Sequence, residues 1–141
     1  MENKIFTFLE ESSGPEYRFL IDCALIECKY ALLVIRDTMK LNSKGEGILE
    51  KLLPFLESKE QSSEWPGTQL IGRKATVFRF ILGPDLAAIM KTEVNRLYQW
   101  QQPDFPKDLC FLRNDKSPWL VTIVHEKEGY FILSAEEKNA C

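Results

Sequence analysis

Tyr17, Leu20, Ile21, Ala24, Leu25 and Cys28 recur at steps of three and four residues, the spacing of one face of a helix. Pro15 suits a first helical position, so the pattern predicts a helix over about 15–29. The run YALLVIR (30–36) is short, apolar and flanked by charge. It fits a buried strand or the end of a long helix, and its length with its Val and Ile favours the strand. In GEGILEKLLPFLES (45–58), Ile48, Leu49, Leu52, Leu53 and Leu56 share one side of a second helix. Pro54 would remove a hydrogen bond to the carbonyl of residue 50, so a kink or break is expected there.

RKATVFRFIL (73–82) alternates, with Phe78, Phe80 and Leu82 on one face and Val77, Arg79 and Ile81 on the other. This is the clearest central strand. Gly83-Pro84-Asp85 then stops the strand and starts a helix predicted over 84–100. On a wheel Leu86, Ile89, Met90, Val94, Leu97 and Trp100 form one apolar arc. Lys91, Thr92, Asn95, Arg96 and Gln99 lie opposite. Glu93 falls inside the apolar arc and is the buried-charge candidate; an ion pair with Arg79 or Arg113 is favoured over a general base.

The last third reads as a meander of DLCFLR, PWLVTIVH and YFILS, with turns at 114–117 and 126–129. The tail AEEKNAC (135–141) is expected to fray. Helix, strand, helix, strand, helix and three strands make an α+β fold. About three helices pack on one side of a mostly antiparallel sheet that ends in a three-stranded C-terminal meander. The 141 residues suit a single domain, 1–141; the polar stretches 40–47 and 58–69 are too short for a clear interdomain linker.

Charge and cysteine content narrow the partners. Net charge is −3, and no Lys/Arg run marks a nucleic-acid patch. A basic face would have to be assembled from Arg73, Lys74, Arg79 and Arg96, so no nucleic acid is expected. The longest nearly apolar run falls far short of the ~20 residues of a membrane span, and MENKIFTFLEE lacks the basic start and long apolar segment of a secretory signal. Cys23, Cys28, Cys110 and Cys141 contain no CxxC. The expectation is a cytoplasmic protein with reduced thiols.

Chemistry-bearing patterns are sparse. A single histidine, His125, excludes HExxH and sites built on several imidazoles. No glycine-rich phosphate loop or GxSxG elbow occurs, and neither a metal nor a cofactor is expected. A Cys110 nucleophile with His125 as base is disfavoured by register. A turn at 114–117 puts Arg113 opposite Pro118 and Cys110 opposite Val121, leaving His125 four residues further on, roughly 14 Å at ~3.4 Å per residue. Cys110 therefore reads as core. His125 is placed at a strand end on the face of Trp119, Val121 and Ile123. With Glu126 it makes either a polar recognition pair at the sheet edge or an ordinary hydrogen-bonded terminus. Trp65, in SEWPGT, is a binding anchor or a lid over the core. Trp100 and Trp119 read as core. The connector QQPDFPKD leaves Gln101, Gln102, Asp104 and Phe105 as its exposed binding candidates.

Three stretches together, SEWPGT (63–68), LYQWQQPDFPKDLCFLR (97–113) and SPWLVTIVHE (117–126), resemble a group of small uncharacterised bacterial proteins. The resemblance covers the chain from about Ser63. It implies a bacterial, intracellular origin, and it transfers no activity, cofactor or functional residue. Two functions from different classes remain. One is a non-catalytic protein-interaction role, immunity-like or regulatory, with a protein partner; its support is small size and slight acidity, which is associational. The other is a small-molecule binder or enzyme with a pocket between helix 84–100 and the meander, using Glu93, Cys110, His125 and Glu126.

Overall fold

A computed structural model describes residues 3–134. The expectation of a frayed tail at 135–141 lies outside the described residues. Along the chain run β1 (Lys4–Thr7), α1 (Pro15–Glu27), β2 (Tyr30–Arg36), α2 (Ser43–Leu52), β3 (Leu56–Ser62), β4 (Glu64–Trp65), β5 (Thr68–Gln69), β6 (Ala75–Ile81), α3 (Pro84–Glu93), β7 (Lys107–Leu112), β8 (Pro118–Ile123) and β9 (Glu128–Leu133). Seven strands form one sheet in the order β1-β9-β8-β7-β2-β6-β3, and its pairs are all antiparallel. The fold is α+β with a C-terminal meander of β7, β8 and β9. No helix among the described residues is long and apolar enough to cross a membrane.

YALLVIR is a strand, and its place in the sheet explains its unbroken apolar run. β2 lies between β6 and β7, with both of its faces covered. Ala31 and Leu33 enter the main core, while Tyr30, Leu32 and Val34 enter a smaller core on the opposite face. The main core receives Tyr17, Leu20 and Ile21 from α1, Ile48 and Leu52 from α2, and Leu86, Ala87 and Met90 from α3. All three helices therefore pack on one side of the sheet. A β4–β5 hairpin covers part of the other side through Trp65 and Leu70. Gly67 turns that hairpin at φ +87. A Cβ there would sit 2.7 Å from the Val121 side chain on β8, so the tight fit of hairpin on sheet requires glycine.

Several expectations need correction. β1 and β3 are strands where none was expected. Both are edges of the sheet, where one paired side suffices and the alternation that marks a half-buried strand is lost. The break at Pro54 occurs: α2 ends at Leu52, a 3₁₀ turn spans Leu53–Phe55, and β3 begins at Leu56. The helix expected over 84–100 stops at Glu93, with Val94 extended at φ −134, ψ 140. Backbone pairing with the segment before α1 replaces the later helical turns. Gly14 N donates to Asn95 O at 2.8 Å and Leu97 N to Ser12 O at 3.0 Å, and Ser13 bridges Arg96. Val94, Leu97 and Trp100 still reach the core, but from a 3₁₀ turn and extended chain.

Glu93 is thus a helix-end residue and not a buried charge. Its carboxylate lies 3.2 Å from Lys51 Nζ, with 28% of the side chain exposed. The anticipated partners are engaged elsewhere: Arg79 binds Glu57 at 2.7 Å, and Arg113 donates to the Pro118 carbonyl at 2.7 Å. In the β7–β8 hairpin, Leu112 rather than Arg113 faces Pro118, and Phe111 faces Leu120. Trp119 is the extra residue of a bulge, which turns it into the main core beside Leu120 while Val121 faces the smaller one. His125 is not a strand end either: β8 stops at Ile123, and His125 stands exposed on a 3₁₀ turn, Val124–Glu126.

Candidate functional site

A buried carboxylate organises the hairpin side of the molecule. Asp108, the second residue of β7, is fully buried at φ +55, a left-handed conformation that Asp adopts at lower cost than most residues. Its Oδ1 accepts Val124 N at 2.9 Å, and its Oδ2 accepts Trp65 Nε1 at 3.3 Å. One side chain therefore ties the β4–β5 hairpin to the turn that carries His125. The Val124 bond also draws the chain out of the β8 ladder, which accounts for the misplaced strand end. Lys107 Nζ lies 3.9 Å from the same carboxylate, its side chain 10% exposed. Burial pulls the Lys107 ammonium below its ordinary pKa, against the attraction of Asp108, and the charge of Arg36 adds to the lowering. Nothing in the local sequence marked Asp108 except its place before an apolar run.

The connector after Trp100 builds the adjoining wall. Gln102 Oε1 accepts Arg36 N at 2.7 Å, and its Nε2 donates to the carbonyls of Arg36 and Met39. Its amide is spent on clamping the end of β2. Asn42 caps α2 through Gly45 N at 2.9 Å and donates to Asp104. Phe105 is buried, edge-on to Trp100 with ring centroids 5.5 Å apart and with Lys44 Nζ 5.0 Å above its ring. Two clefts flank the connector. One, of about 190 Å³, is lined by Arg36, Thr38, Met39, Gln101, Gln102, Lys107 and His125. The other, of about 250 Å³, includes Lys44, Arg96, Tyr98, Gln101, Asp104 and Phe105.

Sequence reasoning placed these candidates unevenly. Gln101, Gln102 and His125 meet in one cleft. Phe105 and Trp65 are buried, so Phe105 is not an exposed binding residue and Trp65 is the lid over the smaller core. Glu126 is exposed beside His125. Glu93, Cys110, His125 and Glu126 do not assemble: Glu93 pairs with α2, and Cys110 is sealed in the smaller core. Burial raises the Cys110 thiol to about 12, far from the thiolate that nucleophilic work requires. Cys28 and Cys110 are thiols, but the reduced-thiol expectation fails at Cys23, which is disulfide-bonded. Among the described residues no group of three or more His, Cys, Asp or Glu is placed to hold a metal ion. Two members of the supposed basic face, Arg79 and Arg96, are ion-paired, to Glu57 and Glu11.

A larger, apolar cleft of about 480 Å³ opens on the helix side, between α1 and the meander. Its lining includes Phe8, Phe19, Leu20, Cys23, Trp119 and Phe131, together with Glu16 and Ser12. Phe131 packs edge-on against both Phe8 and Trp119, at 5.0 and 4.7 Å. Phe6 faces Phe131 across the β1–β9 pair and extends this apolar surface onto the sheet edge. Phe19 is 60% exposed and Phe6 45%. Sequence reasoning missed this surface, because Phe6 and Phe8 lie in a segment given no element and Phe19 falls off the face used to identify α1. No family model, curated protein or solved structure matches this chain.

Proposed function

We propose that this chain is a non-catalytic interaction protein, immunity-like or regulatory in role, that receives an extended apolar segment of a protein partner along β1 and the cleft beside it. The observation that carries this reading is the continuity of the edge strand with the aromatic cleft. Among the described residues β1 has β9 as its one neighbour in the sheet, so its outer backbone groups can add a further strand. Phe6, Phe8, Phe19 and Phe131 would accept alternate side chains of that strand. Aromatic anchors in a desolvated groove supply much of the energy of such interfaces.

The test is copurification of the full chain from its native host, repeated with Phe19→Ser and with Phe6→Ser. Each variant should release a stoichiometric partner while melting temperature and circular dichroism stay close to those of the parent. A partner retained by both variants, or a monomer without a partner at every concentration, rejects the reading. A second reading rests on the cleft volume of about 480 Å³, within the ~300–1,000 Å³ of small-ligand sites. An apolar small molecule would then fill the cleft against α1, not against α3 as the sequence suggested. Phe19→Ser would weaken it, whereas Phe6→Ser, out on the strand edge, would leave it bound.

A further inference from the structure

A cleft of about 190 Å³ beside the connector brings three basic side chains together from three separate parts of the chain. Arg36 comes from the end of β2, Lys107 from the start of β7 and His125 from the turn after β8. Gln101 and Thr38 add an exposed amide and an exposed hydroxyl, and among the described residues no carboxylate lines the walls. Two of the cations are incompletely satisfied by the protein. Among the described residues, buried Arg36 Nε has no hydrogen-bond partner. Lys107 is nine-tenths buried, and among the described residues its ammonium has only the 3.9 Å approach to Asp108. Proteins do not ordinarily bury donors in this way. The backbone around them is fixed, since Gln102 clamps Arg36 and Met39 and Asp108 holds Val124, so the donors are arranged before any ligand arrives.

We propose that this cleft binds a phosphate group, as inorganic phosphate or a small phosphate monoester. A tetrahedral dianion has acceptor oxygens facing several directions at once, which matches donors arriving from three walls. A planar carboxylate would leave one wall unused. The cleft exceeds the ~30 Å³ share of one water and falls below the ~300 Å³ at which drug-sized ligand sites begin, which suits the group itself or a short ester. Arg36 supplies a planar fork and Lys107 a desolvated point charge, the two common modes of phosphate capture. A bound anion would also offset the strain on Lys107, whose charge burial disfavours.

The experiment titrates the full chain with sodium phosphate, glycerol 3-phosphate and sodium acetate at matched ionic strength, read by calorimetry and by amide chemical shifts. Saturable one-site binding of phosphate is expected, with shifts confined to 36–39, 101–107 and 124–126. Tighter binding of the ester than of free phosphate would identify the monoester as the better ligand. Arg36→Gln should weaken binding about tenfold or more, from loss of a hydrogen bond to a charged group. His125→Ala, at an exposed position that leaves the fold intact, should weaken it by a smaller factor. A linear, unsaturated response, equal binding of acetate, or unchanged affinity in both variants overturns the proposal.

Discussion

The two faces of the sheet are held by different physics. The helix side is a broad apolar core built from three helices and crossed by a buried hydrogen-bond relay: Trp100 Nε1 donates to Tyr17 OH at 3.1 Å, which donates to the Met90 carbonyl at 2.8 Å. The hairpin side is thin. One short hairpin covers part of it, and one carboxylate, Asp108, fastens that cover to the turn bearing His125. Area stabilises the first face, whereas satisfaction of a few buried donors stabilises the second. Loss on the first should therefore be global and loss on the second local.

Trp100→Ala should show the largest effect, about 3–5 kcal/mol in urea denaturation, because it empties a fully buried aromatic site. A smaller loss would mean that the helices collapse onto the void. Asp108→Ala comes next at about 2–4 kcal/mol, because two buried N–H donors lose their acceptor. Amide exchange should then rise in 64–70 and 124–127 while α1 and α3 keep their protection; uniform deprotection would erase the contrast between the faces. Trp65→Phe keeps most of the ring area and removes one bond from Asp108, for about 1–2 kcal/mol in the same denaturation assay.

Alkaline pH separates the faces by chemistry. Burial raises the Cys110 thiol from 9.0 to about 12 in the smaller core, and burial also raises Tyr17 above its ordinary value of 10.0 in the main core. A folded pKa above the unfolded one gives stability that is complete below the unfolded value and lost as pH climbs above it. Loss should begin near pH 9 through Cys110, amounting to about 1 kcal/mol by pH 10, and Tyr17 should add to it above pH 10. Lys107, lowered by burial, works in the opposite direction over the same range. Stability curves of Cys110→Ala and Tyr17→Phe read the two contributions: the first should flatten the onset, the second only the part above pH 10.

The sheet edges differ in a related way. β3, LESKEQS, carries Glu57, Lys59, Glu60 and Gln61 along one edge, charges and polar groups that discourage further pairing. β1, KIFT, is exposed along its whole length and includes Ile5 and Phe6. Nothing in the spacing of either segment revealed a strand, because each is stabilised by the neighbour it joins and not by its own alternation.

Local patterns in the sequence determined a good deal by themselves. The period of three to four residues over Tyr17–Ala24 fixed α1, and the continuous apolar run of 30–36 fixed a doubly covered strand. Alternation over 75–81 gave a central strand, and Pro54 ended the second helix. These features depend on steric and hydrophobic preferences that act within a few residues. Tertiary structure decided the rest. The end of α3 depends on pairing with 12–14, and the face of Trp119 on a bulge whose parity the sequence does not encode. The left-handed Asp108 is held by partners 43 and 16 residues away in the chain. His125 and Gln101 meet only after those choices are made, so the cleft they share is a product of long-range hydrogen bonds, to which spacing along the chain is blind.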